Sequence, residues 1–217
     1  MPGLVCVLLA ASTAPPILAN MGATHWFRFD WTPSSANLHW VSLPLLYSPT
    51  TAEGLCLDLG GATGITEVHR WDEATSRFVV HVCGGATPFA LIKGMAYGIV
   101  NASGVRIEAV VAGSHDDAFV YTLAPTAGSN LTWVSLPYHL KLPEVAGTPT
   151  GADAEDLCRS IGLSEVLAIV SWDETPQAFV TYACGSTLDT PFGLEVGEGY
   201  GLINRPGQTI TWQPPHW

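Results

Sequence analysis

The chain has 217 residues, of which 12% are charged and 47% hydrophobic, and a formal net charge of −11. No basic run is present to displace counterions from phosphates, which argues against nucleic acid, and the acidity argues equally against an anionic membrane surface. A mean hydropathy of +0.27 excludes intrinsic disorder and is high for a free monomer, which points to apolar surface buried against neighbouring copies.

Residues 1–23 stand apart as an apolar N-terminal arm or signal-like segment. The run Leu4-Val5-Cys6-Val7-Leu8-Leu9-Ala10-Ala11 is too short to span a bilayer, and Pro15-Pro16 bars helix continuation, so no membrane span is expected. Two readings stand. One is a secretory signal with small residues near Ala10-x-Ser12 or Ala19, although positive charge ahead of the apolar run is missing. The other is a β-strand-like arm, Leu4, Val5, Val7, Leu8 and Leu9, that pairs with a neighbouring subunit.

Residues 24–31 (THWFRFDW) alternate large apolar with polar groups, as a half-buried strand does. After Thr32-Pro33-Ser34-Ser35 comes a strand, Asn37-Leu-His-Trp-Val-Ser-Leu-Pro44, ended by its proline. A short helix follows, then two strands at Ile65–Trp71 and Arg77–Val82 around a turn whose Asp72 accepts hydrogen bonds from its own following backbone. Phe89–Ile92, a Gly94-x-x-Tyr97-Gly98 corner and a strand at 105–111 close the unit.

The same series then begins again. Residues 117–124 match 24–31, and Asn130-Leu-Thr-Trp-Val-Ser-Leu-Pro137 differs from 37–44 at one letter. Leu157-Cys158, Trp172-Asp173, Phe179-Val180, Cys184-Gly185, Phe192 and Gly197-x-x-Tyr200-Gly201 follow in the order of their first-unit counterparts. An ordered series of this length predicts tandem duplication, with units at 24–115 and 116–217. In the second unit Asp153 is the expected helix N-cap and Gly162 its stop, before strands at Val166–Trp172, Ala178–Ala183 and 208–213. The expected fold is mostly β: two small sandwich- or barrel-like domains of about seven strands, each with one short helix and one disulfide. The longer stretch after Pro137, around Lys141-Leu142-Pro143-Glu144-Val145, reads as a surface loop.

Cys56 and Cys83 lie 27 residues apart, and Cys158 and Cys184 lie 26 apart, at equivalent positions. A disulfide within each unit follows, worth roughly 3–4 kcal/mol in the chain-entropy picture and implying an oxidising compartment. Ligation of a metal by His69 or His81 beside these cysteines is disfavoured, because Val170 and Thr181 stand at those positions in the second unit. Cys6 has no counterpart.

The seven histidines (25, 39, 69, 81, 115, 139 and 216) show no i,i+4 ligand spacing, and no nucleophile elbow, Walker loop or dinucleotide fingerprint is present. Asp72-Glu73 and Asp173-Glu174 sit in turns rather than across a cleft. No catalytic residue, metal or cofactor is therefore expected. Trp40 with Trp133 and Trp71 with Trp172 recur and read as shared core, whereas Trp26, Trp31, Trp212 and Trp217 are unit-specific and read as interface or ligand-face aromatics. Asn101-Ala-Ser103 and Asn130-Leu-Thr132 have the form of N-glycosylation acceptors, although the counterparts Asn204 and Asn37 favour a turn role for the asparagine itself.

The pattern Asn-Leu-x-Trp-Val-Ser-Leu-Pro, short helix, Trp-Asp before an aromatic strand, and Phe-x-Leu-x-x-Gly-x-x-Tyr-Gly resembles modules found in tandem on secreted and surface proteins of bacteria and archaea. The resemblance covers residues 24–217 and implies extracellular structural or adhesive duty, with no catalytic residues to carry over. The cysteine pair is an addition to that pattern. The expected function is a non-enzymatic subunit of an extracellular filament or surface assembly, polymerising with copies of itself through the arm. The alternative is a secreted carbohydrate-binding or adhesive module, with a glycan as partner.

Overall fold

The computed structural model describes residues 23–33, 35–126, 129–142 and 152–215. The arm residues Leu4, Val5, Val7, Leu8 and Leu9, with Cys6, Trp217 and the 143–145 part of the long loop, lie outside the described residues.

Alternating apolar residues and helix caps set the elements. In the first half, β1 (Ala23–Phe29), β7 (Ile107–Ser114) and β3 (Leu46–Tyr47) form one antiparallel sheet, with β7 in the middle. The other sheet runs β2 (Leu38–Val41), β6 (Tyr97–Val100), β4 (Glu67–Asp72), β5 (Arg77–Val82). Helix α1 (Ala52–Asp58) starts at Thr51, whose hydroxyl accepts the Gly54 N–H, and a 3-10 turn at Gly61–Thr63 follows it. Phe27, Phe29 and Val111 of one sheet meet Val41, Val68, Tyr97 and Ile99 of the other, with Leu55, Cys56 and Leu59 closing the layer.

The second half repeats the order of the four-stranded sheet, while its smaller sheet has two strands and no counterpart of β3 among the described residues. Its four-stranded sheet runs β9 (Leu131–Ser135), β12 (Gly199–Asn204), β10 (Val166–Asp173), β11 (Ala178–Ala183), and β8 (Tyr121–Leu123) pairs with β13 (Ile210–Trp212). Helix α2 (Ala154–Ile161) starts at the expected N-cap, which is part of a capping box: Asp153 accepts the Asp156 N–H at 2.9 Å and Asp156 accepts the Asp153 N–H at 3.3 Å. Gly162 ends it with φ 125°, a conformation costly for any side chain. Leu157, Cys158 and Ile161 pack against Tyr200, Leu202, Ile210 and Trp212. The fold is thus mostly β, with two helices and two disulfides, as expected.

Three departures from expectation have local causes. The Gly-x-x-Tyr-Gly segments are corners only where they begin: Gly94 and Gly197 sit in turns with φ 81° and 91°, whereas Tyr97–Val100 and Gly199–Asn204 are inner strands of their sheets. Strand β8 is only three residues long, because Asp116 folds the chain before it, accepting Ala118 N–H on its side chain and Phe119 N–H on its carbonyl. Trp212, expected at an interface, is 4% exposed: it stacks on Tyr121 and donates Nε1–H to Ser160 Oγ, sealing the second core.

Cys56 bonds Cys83 and Cys158 bonds Cys184, tying each helix to the end of β5 or β11. A carboxylate from each helix's first turn reinforces the tie. Glu53 accepts the Gly84 N–H at 2.8 Å and Glu155 the Gly185 N–H at 2.9 Å. Replacing Cys158 and Cys184 together by Ala is expected to lower unfolding free energy by about 3 kcal/mol, read as a lower urea midpoint under non-reducing conditions.

Candidate functional site

The most closely repeated eight residues of the chain build the seam between the halves. Trp40 and Trp133 stack at 4.0 Å between ring centroids and 17° between planes, and both are buried. Each indole lies across its partner strand at a glycine, Trp40 opposite Gly98 and Trp133 opposite Gly201. A Cβ at Gly98 would stand 2.9 Å from Leu38 Cδ1, and one at Gly201 2.8 Å from Leu131 Cδ1. A side chain there would press on that leucine and on His69 Cβ or Val170 Cβ, at 3.2 and 3.1 Å, while the indole stands at ordinary contact distance.

Hydrogen bonds cross the seam reciprocally. Trp71 Nε1–H donates to Leu131 O at 2.9 Å, and Trp172 Nε1–H to Leu38 O at 2.6 Å. The motif serines do the same: Leu43 N–H donates to Ser135 Oγ and Leu136 N–H to Ser42 Oγ, each at 2.9 Å. Ser135 Oγ–H donates to Met95 O at 2.7 Å and Ser42 Oγ–H to Glu198 O, while Ser42 N–H reaches Gly197 O and Ser135 N–H reaches Gly94 O. The repeated WVSLP letters therefore encode how each half grips the other.

A cleft opens on either side of the seam, where one half's first strand faces the other half's hairpin. One, about 580 Å³, is lined by Arg70, Trp71, Glu73, Lys93, Phe119 and Tyr121. Lys93 lies 5.2 Å above the Phe119 ring and pairs with Asp116. Glu73 accepts the Thr132 hydroxyl at 2.6 Å. The other, about 180 Å³, is lined by His25, Trp26, His39, Glu174, Glu195 and Glu198. His39 Nδ1 and Glu174 Oε1 lie 2.6 Å apart, and Trp26 stands 70% exposed at the rim.

The smaller cleft is electrostatically distinctive. Burial pushes the Glu198 carboxyl up to about 7, and the nearby charges of Glu195, Glu174 and Asp173 add to the shift against a hydrogen bond from Tyr200. Burial lowers the His25 imidazole below its ordinary value. The cleft thus holds a carboxyl that changes charge near neutrality beside carboxylates with ordinary exposure to water. That chemistry suits a cation or a hydroxyl-rich ligand. The sequence concealed it because its acids come from separate segments, 174 and 195–198, that meet residues 25–41 only in the fold.

The remaining expected site residues fall as follows. All four paired cysteines are in disulfides, so Cys56 and Cys83 offer no thiolate to His81, which instead meets Glu53 at 2.7 Å. Trp31 is 37% exposed, so Trp26 and Trp31 remain on the surface. Asn101 is fully buried, its Nδ2 donating to Phe29 O and Val105 O; Asn204 repeats this with Leu123 O and Gln208 O. A glycan on Asn101 would require that nitrogen, so its role is to tie the strand end. Asn130 is half-buried and its carbonyl accepts the Asn204 N–H at 2.9 Å. Asp72 and Asp173 accept backbone N–H groups two residues on, as their turn reading requires.

No protein-family model, curated protein or solved structure matches this chain.

Two measurements check the seam. Ser135→Ala leaves the Leu43 N–H buried without its acceptor and is expected to cost about 1–3 kcal/mol in urea unfolding. For Glu198, the folded pKa lies above the unfolded one, so the native state holds the proton longer; its contribution makes stability fall as pH rises from about 4.5 to about 7 and level off above. Glu198→Gln should flatten that part of the stability profile and raise stability at pH 8 by about 1–2 kcal/mol.

Proposed function

We propose that this chain is a non-catalytic structural subunit of an extracellular assembly that self-associates by strand addition at the outer sheet edges. The observation that carries the reading is the state of those edges. Among the described residues, strands β5 and β11 each pair on one side only. The segment AFVTYA of β11 has no charged residue and no proline, and Phe179 and Val180 are 47% and 40% exposed. β5 (RFVVHV) exposes Phe78, Val80 and Val82 and carries only Arg77 against pairing. Soluble chains ordinarily protect such edges with lysine, proline or a bulge, because an open ladder templates another strand.

The apolar run Leu4–Ala11 has the length and composition of a strand able to complete β11 of another copy, which would join copies head to tail. Two disulfides are compatible with an extracellular setting, and no helix among the described residues is long and apolar enough to cross a membrane. The resemblance to tandem surface modules supports the same duty.

One observation favours a second reading, a carbohydrate-binding module. The 580 Å³ cleft combines aromatic rings with Arg70, Asp72 and Glu73, the mixture of flat apolar and planar polar groups that sugars require. There, polysaccharide would change tryptophan fluorescence through Trp71, and loss of that response in Trp71→Phe would locate it.

Electron microscopy and sedimentation of the full chain test the leading reading. Filaments or large assemblies are expected from the intact chain, and folded monomers from a chain lacking residues 1–20 or carrying Val80→Lys with Thr181→Lys. A full chain that stays monomeric at all concentrations removes the assembly reading, and a truncated chain that still polymerises removes the arm as its agent.

A further inference from the structure

Three side chains from separate segments converge beside the connection between the halves. His115 follows the end of β7, Asp117 lies two residues on, and His139 lies in the loop after β9. His115 Nε2 is 3.3 Å from Asp117 Oδ1, and His139 Nε2 is 3.6 Å from the same oxygen. The two imidazole rings are 4.2 Å apart between centroids and inclined by 53°.

These separations differ from those of the chain's other histidine–carboxylate pairs. His39 with Glu174, His69 with Glu67 and His81 with Glu53 close to 2.6–2.7 Å, one imidazole to one carboxylate, as hydrogen bonds do. In the His115–Asp117–His139 group two imidazoles address one carboxylate oxygen, at the longer separations of 3.3 and 3.6 Å. Two ligands bound at about 2.0–2.2 Å to one tetrahedral ion lie about 3.3–3.6 Å apart. The observed edges have that length.

We infer that His115, Asp117 and His139 form a three-ligand site for a divalent transition-metal ion of the zinc class, with the fourth position open to water. Two imidazoles and a carboxylate suit zinc over calcium or magnesium, which take oxygen ligands. The side chains of His115 and His139 are 30% and 20% exposed and that of Asp117 is 56% exposed, which provides both an entry path and room for the fourth ligand. The surroundings support the arrangement. The Asp117 carbonyl accepts Gln213 Nε2–H at 2.7 Å, anchoring the segment that carries it, and the nearby cation Lys93 is engaged by Asp116. A bound ion pins the connection between β7 and β8 to the loop after β9.

The spacing rule applied to the sequence excluded these histidines because it sought ligands one helical turn apart, whereas these come from a strand end and a distant loop. The test is zinc titration of the untagged full chain, with a chromophoric competitor for affinity and Co²⁺ as a spectroscopic probe. One equivalent of zinc with micromolar or tighter affinity is expected, and Co²⁺ should show the visible bands of a four-coordinate site. His115→Ala, His139→Gln and Asp117→Asn should each weaken binding more than about tenfold, a scale that even outer partners of a bound metal reach. His69→Ala should leave binding unchanged. Failure of the wild-type chain to bind zinc at micromolar concentration, or binding that survives His115→Ala with His139→Gln, overturns the assignment. The Co²⁺ spectrum of the wild type stands independently of whether any variant folds, and its absence overturns the assignment as well.

Discussion

The Trp40–Trp133 stack over Gly98 and Gly201 is the contact on which the arrangement of the two halves depends. A buried tryptophan removes about 150–250 Å² from water, worth roughly 4–6 kcal/mol at 25 cal/mol per Å². Against this stands a cost. Both indole Nε1–H groups are buried with no acceptor among the described residues, and an orphaned donor costs about 1–3 kcal/mol. The area term is the larger, so the stack holds. Trp71 and Trp172 use the same side chain differently, sending their N–H groups across the seam to Leu131 and Leu38 carbonyls. Two tryptophans supply area and two supply direction. The serines of the motif fix the register by hydrogen bonds that would be lost on sliding.

Much of this was legible in the sequence. Helix α2 could be placed from Asp153 and Gly162 because capping is local chemistry, needing only a side-chain acceptor and a residue tolerant of positive φ. The hairpins β4–β5 and β10–β11 were equally legible, since alternation and an aspartate turn are both short-range signals. The disulfides followed from spacing repeated twice. What failed was inference about inner strands containing glycine. Gly98 and Gly201 read as turn residues, yet they are in mid-sheet, each opposite a tryptophan whose flanking leucine takes the space of a Cβ. That requirement comes from a residue nearly sixty or seventy positions away and has no local signature. Trp212 failed for a related reason: lacking a counterpart in the first half says nothing about burial, and β8 being short leaves a space that its ring fills.

The halves share a seam but not their clefts. At equivalent places one cleft carries Ile92, Met95 and Phe119 and the other Glu195, Glu198 and His25, around Gly94 and Gly197 respectively. The glycines keep the same close approach, to Phe119 in one case and His25 in the other, so the backbone frame is common while its lining differs. The residues that hold the halves together are repeated nearly letter for letter; of those facing the clefts Glu73 and Glu174 recur, but Ile92 with Glu195, Met95 with Glu198 and Phe119 with His25 differ. Packing at the seam constrains both members of each pair at once, whereas a cleft residue answers only to its own surroundings.

The charge distribution bears on how such a chain meets another copy of itself. A net charge of −11 repels like molecules at long range, yet at physiological ionic strength the field decays over about 8 Å. Contact is therefore decided by what lies at the surface within that distance. The β11 strand itself carries no charged side chain and β5 only Arg77, although Glu155 and Asp173 adjoin β11 and Glu53 and Asp72 adjoin β5. The inner edges β2 and β9 are closed by the other half through Ser42, Ser135 and the tryptophan N–H groups. Acidic repulsion slows encounter everywhere, while backbone pairing at the outer edges remains short-ranged and insensitive to net charge. On the proposed reading, these two outer edges are the borders at which one copy would meet another.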